Sequence, residues 1–138
     1  MRRYVEQFVT HLPHARALGV ELVSCDELLG RVVVRQPWRE ELVGDPSTGV
    51  LHGGVITALL DTLGCACVIA RARRPQGTLD LRIDYLRPAT TRQELLGDAE
   101  CYRVTRHVAF VRGTCHHGDP ARAVASLTAT FVLREPAP

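Results

Sequence analysis

Asp61 lies in the run Ala58-Leu59-Leu60-Asp61-Thr62-Leu63-Gly64, a setting that should not hold a free carboxylate. Burying an ionised carboxylate without partners costs several kcal/mol. At helical spacing its face is shared by Gly54, Thr57, Ala58, Gly64, Cys65 and Val68. Those side chains are mostly small, which leaves room beside the carboxylate for a substrate or for another backbone. Two readings stay open at this point: a reacting acid in a site, or a structural acid paired across an interface. Nine residues earlier stands His52-Gly53-Gly54. Glycines let a ligand come close to the backbone. The first N–H groups of a helix lack intrahelical partners, and the helix dipole adds positive potential there. Such a helix start can hold a developing oxyanion. Taken alone, it reads equally well as a glycine-rich turn with His52 hydrogen-bonded in the loop.

The elements that must position these residues follow from periodicity. Residues 53–72 form a long proline-free stretch, apolar nearly all round, as expected of a helix buried on most sides. Arg71, Arg73 and Arg74 put positive charge at its C-terminal end, where the dipole favours it. Ahead of it, residues 3–12 read as a short amphipathic helix with Tyr4, Val5, Phe8 and Val9 on one side, stopped by Pro13. Residues 18–25 and 28–36 read as strands, and 37–49 as a loop holding at most one helical turn. After the long helix, residues 78–86 alternate, with Leu79, Leu81, Ile83 and Tyr85 on one face. Further strands are expected over 94–104, 107–115 and 122–133. Short turns make them antiparallel. The expectation is an α+β chain, one domain over residues 1–138, with a curved antiparallel sheet of about six strands around one long central helix.

Composition removes several classes of function. The net charge is only +2 and the basic residues are scattered, which argues against nucleic acid. All 17 basic residues are arginine, so lysine Schiff-base chemistry is excluded. The five cysteines include no Cys-x-x-Cys pair, and Cys65 and Cys67 should point to different faces of the helix. No metal or other cofactor is expected, and His116-His117 read as exposed turn residues. Free thiols suit a reducing cytoplasm. Arg2-Arg3 lack an apolar segment behind them, and no uninterrupted apolar run reaches roughly 18 residues, so neither signal peptide nor membrane span is expected.

The helix and its flanks together carry a family likeness. Gly49-Val50-Leu51-His52-Gly53-Gly54-Val55-Ile56, then Leu60-Asp61, then Thr78-Leu79-Asp80-Leu81-Arg82-Ile83-Asp84-Tyr85-Leu86-Arg87-Pro88-Ala89, resemble the PaaI-like acyl-CoA thioesterases of the hotdog superfamily. The resemblance covers roughly residues 15–134. It implies hydrolysis of an acyl-CoA thioester without a cofactor. By position, Asp61 would be general base or nucleophile, and the Gly53 N–H would polarise the carbonyl with Gly54 beside it. His52 would orient the loop or touch the thioester, and Thr78 would position the water or the carboxylate. It also implies homodimers or homotetramers with sites between subunits, His52 and Gly53 of one chain facing Asp61 and Thr78 of another. Many such enzymes carry an Asn shortly before the His-Gly-Gly motif. The nearest candidate here is Asp45, which cannot donate a hydrogen bond unless protonated and reads also as a turn residue before Pro46. Arg87 and Arg106 are candidate holders of the coenzyme A phosphates. Two other functions remain to be separated: a hotdog dehydratase, for which no His-Phe-Pro-type loop is present, and a non-catalytic acyl-CoA binding or sensing protein, which has little use for a buried base.

Overall fold

The computed structural model describes residues 1–90 and 92–135. In chain order the elements are α1 (Arg2–His11), α2 (Pro13–Leu18), β1 (Glu21–Asp26), β2 (Arg31–Gln36), β3 (Val43–Asp45), β4 (Val50–Leu51), α3 (Gly53–Ala72), β5 (Pro75–Tyr85), β6 (Leu95–Val104), β7 (Val108–His116) and β8 (Ala125–Leu133). Six strands form one antiparallel sheet in the order β1-β2-β6-β7-β8-β5, and β3 pairs with β4 in a separate ribbon. The expected architecture is present, a six-stranded antiparallel sheet with one long helix packed on it.

The helix α3 has the bounds its apolar run predicted. Leu59, Leu60, Leu63 and Val68 are fully buried, packed on β2, β6, β7, β8 and β5. Arg73 caps it in the left-handed region at φ 62°, its N–H donating to Val68 and Ile69 carbonyls. By length and composition α3 could cross a membrane, although it lacks an unbroken apolar run; here it is the core helix. Strand β8 alternates as expected, with Ala125, Leu127, Ala129, Phe131 and Leu133 buried against it. Gly64 lets the sheet approach closely, since a Cβ there would stand 2.8 Å from the Phe131 ring. The gap that Gly64 leaves on the Asp61 face is therefore filled by Phe131 and not by a ligand.

Several local expectations are corrected. Pro13 opens a second helix instead of only closing the first: Leu12, extended at ψ 135°, caps both, and proline is favoured at a first helical position. That helix takes Leu18, and β1 begins at Glu21 after Gly19 turns the chain at φ 76°. Residues 37–49 are not only loop, because β3 pairs with β4 and the His52 N–H donates to the Leu42 carbonyl at 2.9 Å. Strand β5 begins at Pro75, and a bulge between Thr78 and Asp80 leaves Leu79 60% exposed. His116 is not an exposed turn residue; it is buried at the end of β7 and accepts from the Gly118 N–H. His117 is half-buried, bonded to the Glu94 carbonyl and accepting from the Thr90 N–H.

Candidate active site

The Asp61 carboxylate is half-buried on α3, and Thr78 of the following strand donates its hydroxyl to Oδ1 at 2.7 Å. Strand β5 runs back along α3, so two residues far apart in the chain meet. Thr78 thereby occupies one carboxylate oxygen and fixes the plane of the group. The pair opens on a groove of about 640 Å³ between the C-terminal half of α3 and the α1–α2 hairpin. Phe8, Leu12, Ala15, Cys65 and Ile69 line its apolar walls, and Arg73, Arg74 and Arg134 stand at its far end.

Cys65, one turn beyond Asp61, opens to this groove, whereas Cys67 turns to the sheet and gives its thiol proton to the Ala99 carbonyl at 3.2 Å. The two thiols do point to different faces, as their spacing predicted. Burial, helped by the Asp61 charge, pushes the Cys65 thiol up to about 12. It is protonated at neutral pH and behaves as an apolar wall, not as a nucleophile.

The helix start is built separately. His52 is the N-cap of α3, and its Nδ1 accepts from the Gly54 N–H at 2.8 Å. That bond places the ring proton on Nε2, which leaves His52 a donor toward solvent. The preceding ribbon backs it closely: a Cβ on Gly44 would stand 2.8 Å from His52 Cα. The Gly53 N–H has no acceptor among the described residues, as first helical N–H groups usually do not. Tyr85, which sequence reasoning had placed only on a strand face, holds this end. Its hydroxyl donates to the Gly53 carbonyl at 3.0 Å and meets the Thr57 hydroxyl at 2.5 Å. The alternation of β5 could not reveal that contact, which depends on where the strand crosses the helix.

Asp61 and Thr78 are thus brought together, and so are His52, Gly53 and Gly54, but the two groups are apart. Eight residues of helix separate Gly53 from Asp61, a rise of about 12 Å. Asp45 is the last residue of β3, its carboxylate accepting from the Ser47 N–H at 2.9 Å and the Ser47 hydroxyl at 2.6 Å. Those bonds hold it below the usual carboxylate range, so it stays ionised and cannot donate. Arg87 gives a hydrogen bond to the Ala123 carbonyl just past one end of β5, while the Arg106 carbonyl accepts from Arg74 just before the other. An eleven-residue strand spans about 33 Å, too far for both to hold one phosphate group within a chain. Among the described residues no group of three or more His, Cys, Asp or Glu side chains is placed to hold a metal ion.

Comparison with known proteins identifies the family. Residues 48–124 match the family described as the thioesterase superfamily. The medium/long-chain acyl-CoA thioesterase YigI of Escherichia coli is 33% identical over 93% of this chain and 90% of that protein. A Pseudomonas aeruginosa crystal structure superposes with a TM-score of 0.84 at 35% identity, covering 96% of this chain and 98% of that one. A mutant of the phenylacetic acid degradation protein PaaI from Thermus thermophilus gives a TM-score of 0.77 at 25% identity, covering 89% of this chain and 100% of the other. The chain belongs to the thioesterase superfamily, and it is of the PaaI-like hotdog type that its motifs resemble.

Proposed function

We propose that this chain hydrolyses medium- to long-chain acyl-CoA to the free acid and coenzyme A, in the cytoplasm, with Asp61 as the reacting carboxylate. The observation that carries the reading is the Thr78–Asp61 hydrogen bond at the end of an apolar groove. Thr78 ties up one oxygen, leaving the other to take a proton from water or to attack the thioester carbonyl itself. The oxyanion that forms needs a donor, and an unpaired N–H at a helix start is suited to it. Within one chain the Gly53 N–H is about 12 Å away along the helix. A second copy supplies it, so the site lies between subunits of a homodimer or of a tetramer of such dimers. His52 of that copy, with Nε2–H free, points a further donor at the thioester. On the base route, collapse of the tetrahedral intermediate expels the coenzyme A thiolate, which takes back the proton held by Asp61; on the nucleophile route, collapse expels the thiolate and leaves an acyl–Asp61 anhydride, which water hydrolyses to the free acid, its proton going to the thiolate.

This reading separates from a dehydratase and from a non-catalytic binder by one substitution. Asp61→Asn keeps size and hydrogen bonding but cannot take the proton. It is expected to fold, to bind a non-hydrolysable acyl-CoA analogue and to lose about 10²- to 10⁴-fold in kcat. Turnover within a few-fold of the parent would remove Asp61 from the mechanism. A single turnover in heavy-oxygen water divides base from nucleophile, because only attack by the carboxylate leaves label in Asp61.

A further inference from the structure

Strand β5 meets the helix that carries the proposed chemistry twice. Thr78 reaches Asp61, and Tyr85, seven residues later, reaches the start of α3. In a regular strand an odd spacing sends two side chains to opposite faces. The register shift between Thr78 and Asp80 inserts one extra residue, so both turn toward the helix. Tyr85 is 53% exposed, yet its hydroxyl is not left to water. It donates to the Gly53 carbonyl at 3.0 Å and lies 2.5 Å from the Thr57 hydroxyl. A phenol has one proton to give. With that proton on Gly53, the Thr57 hydroxyl is the donor to Tyr85, and the phenol oxygen is held from both sides. The ring also stands close over the helix start, since a Cβ on Gly53 would lie 3.5 Å from it.

The carbonyl that Tyr85 holds belongs to the peptide joining Gly53 to Gly54. The N–H of that same peptide donates to His52 Nδ1 at 2.8 Å. The two bonds are therefore the two ends of one amide. A donor on the carbonyl draws charge through the amide and makes its N–H a stronger donor, as in other chains of hydrogen bonds. A strong donor on Nδ1 keeps the ring proton on Nε2 and fixes the direction of the ring. We propose that Tyr85 is a positioning residue for thioester hydrolysis: its hydroxyl, through the Gly53–Gly54 peptide, holds the His52 ring with Nε2–H turned to the thioester. In this role Tyr85 does not touch the substrate. The proposal rests on Asp61 being the reacting carboxylate and His52 a donor to the thioester. Tyr85 then serves the half of a site that its chain lends to a partner, as Thr78 serves the half that the chain keeps.

The test is a double-mutant cycle on kcat and KM for one acyl-CoA, using the parent, Tyr85→Phe, His52→Ser and the double variant. Tyr85→Phe keeps the ring over Gly53 and removes only the hydroxyl. His52→Ser keeps a side chain able to cap α3 and removes the imidazole. Tyr85→Phe alone is expected to lower kcat about three- to tenfold, the range of one lost hydrogen bond, with KM and the thermal midpoint little moved. In the His52→Ser background the same substitution should change kcat by less than about twofold, because no ring is left to hold. Thr57→Val, of the same shape, removes the bond that orients the phenol. It should show the same dependence on His52, so it carries the test should Tyr85→Phe not fold. An equal loss in both backgrounds overturns the proposal, because Tyr85 would then act without His52. So does a Tyr85→Phe enzyme with the parental kcat, a change confined to KM, or a His52→Ser enzyme as fast as the parent. Each of these results leaves Asp61 in place as the reacting carboxylate. Parental turnover in Asp61→Asn, or a parent that hydrolyses no acyl-CoA, would overturn the thioesterase mechanism and this proposal with it.

Discussion

Thr78 shows how little of a reacting site one residue can carry and how much it can decide. Its hydroxyl touches the Asp61 carboxylate and nothing else of the proposed chemistry. We place it as a positioning residue, holding the lone pairs of the free oxygen toward the groove. Hydrogen bonds to charged groups are worth about 1.5–3 kcal/mol, so Thr78→Val should lower kcat by roughly tenfold or more with KM little changed. Thr78→Ser should restore it, which a purely structural threonine would not require, and steady-state kinetics on the two variants decides. The partner of Asp61 could be read from the sequence only through the family resemblance, by the position of Thr78. The contact of Tyr85 with Gly53 and Thr57 could not, since it depends on the angle at which β5 crosses α3. Asp45 was open to two readings, and its bonds to Ser47 favour the turn.

At the scale of elements, the boundaries of α3 were legible because both ends carry a local signal, an N-cap histidine followed by glycine and a run of arginine. The alternation of β8 was legible because the strand buries one face only. What escaped was short: α2 depends on Pro13 starting a helix where it also stops one, and β3 and β4 are too brief to show a period. They exist because packing around His52 supports them. Buried thiols on the sheet, and Cys65 on the groove side of α3, make a prediction about pH. Burial raises Cys101 and Cys115 to about 11 and Cys65 to about 12, against 9.0 for an exposed thiol. Below pH 9 both folded and unfolded chains hold these protons. Above it the unfolded chain loses them first, so it binds fewer protons and stability falls as pH rises. For Cys115, fully buried, a shift of that size is worth about 1–3 kcal/mol, lost between pH 9 and roughly pH 11. Urea midpoints measured from pH 8 to 11 should decline across that window, and Cys115→Ala should decline less steeply.

At the scale of the whole molecule, β5 is an outer strand of the sheet, eleven residues long, with one edge paired to β8 and the other unpaired among the described residues. Leu79 and Tyr85 on it are more than half exposed. A long edge of that kind invites a second strand, and a two-fold pairing along β5 would carry each chain's helix start toward its partner's Asp61. A symmetric pair then holds two sites, each with Asp61 from one chain and Gly53 from the other. Two defective variants can therefore repair each other. Asp61→Asn spoils the carboxylate and keeps the donor. Gly53→Pro keeps the carboxylate and removes the N–H, and it suits the fold: proline is favoured at a first helical position, and His52 before it is already extended at ψ 137°. The added Cβ would meet the Tyr85 ring at 3.5 Å, an ordinary contact. In a dimer of one variant with the other, one site carries both defects and the second carries neither. Unfolding and refolding an equal mixture makes half the dimers mixed, so about a quarter of all sites regain the parental arrangement. Acyl-CoA hydrolysis by the refolded mixture should rise to that fraction of the parent, while each variant refolded alone stays inactive. If each chain instead built its whole site from its own residues, every chain in the mixture would still carry one defect and no activity would return.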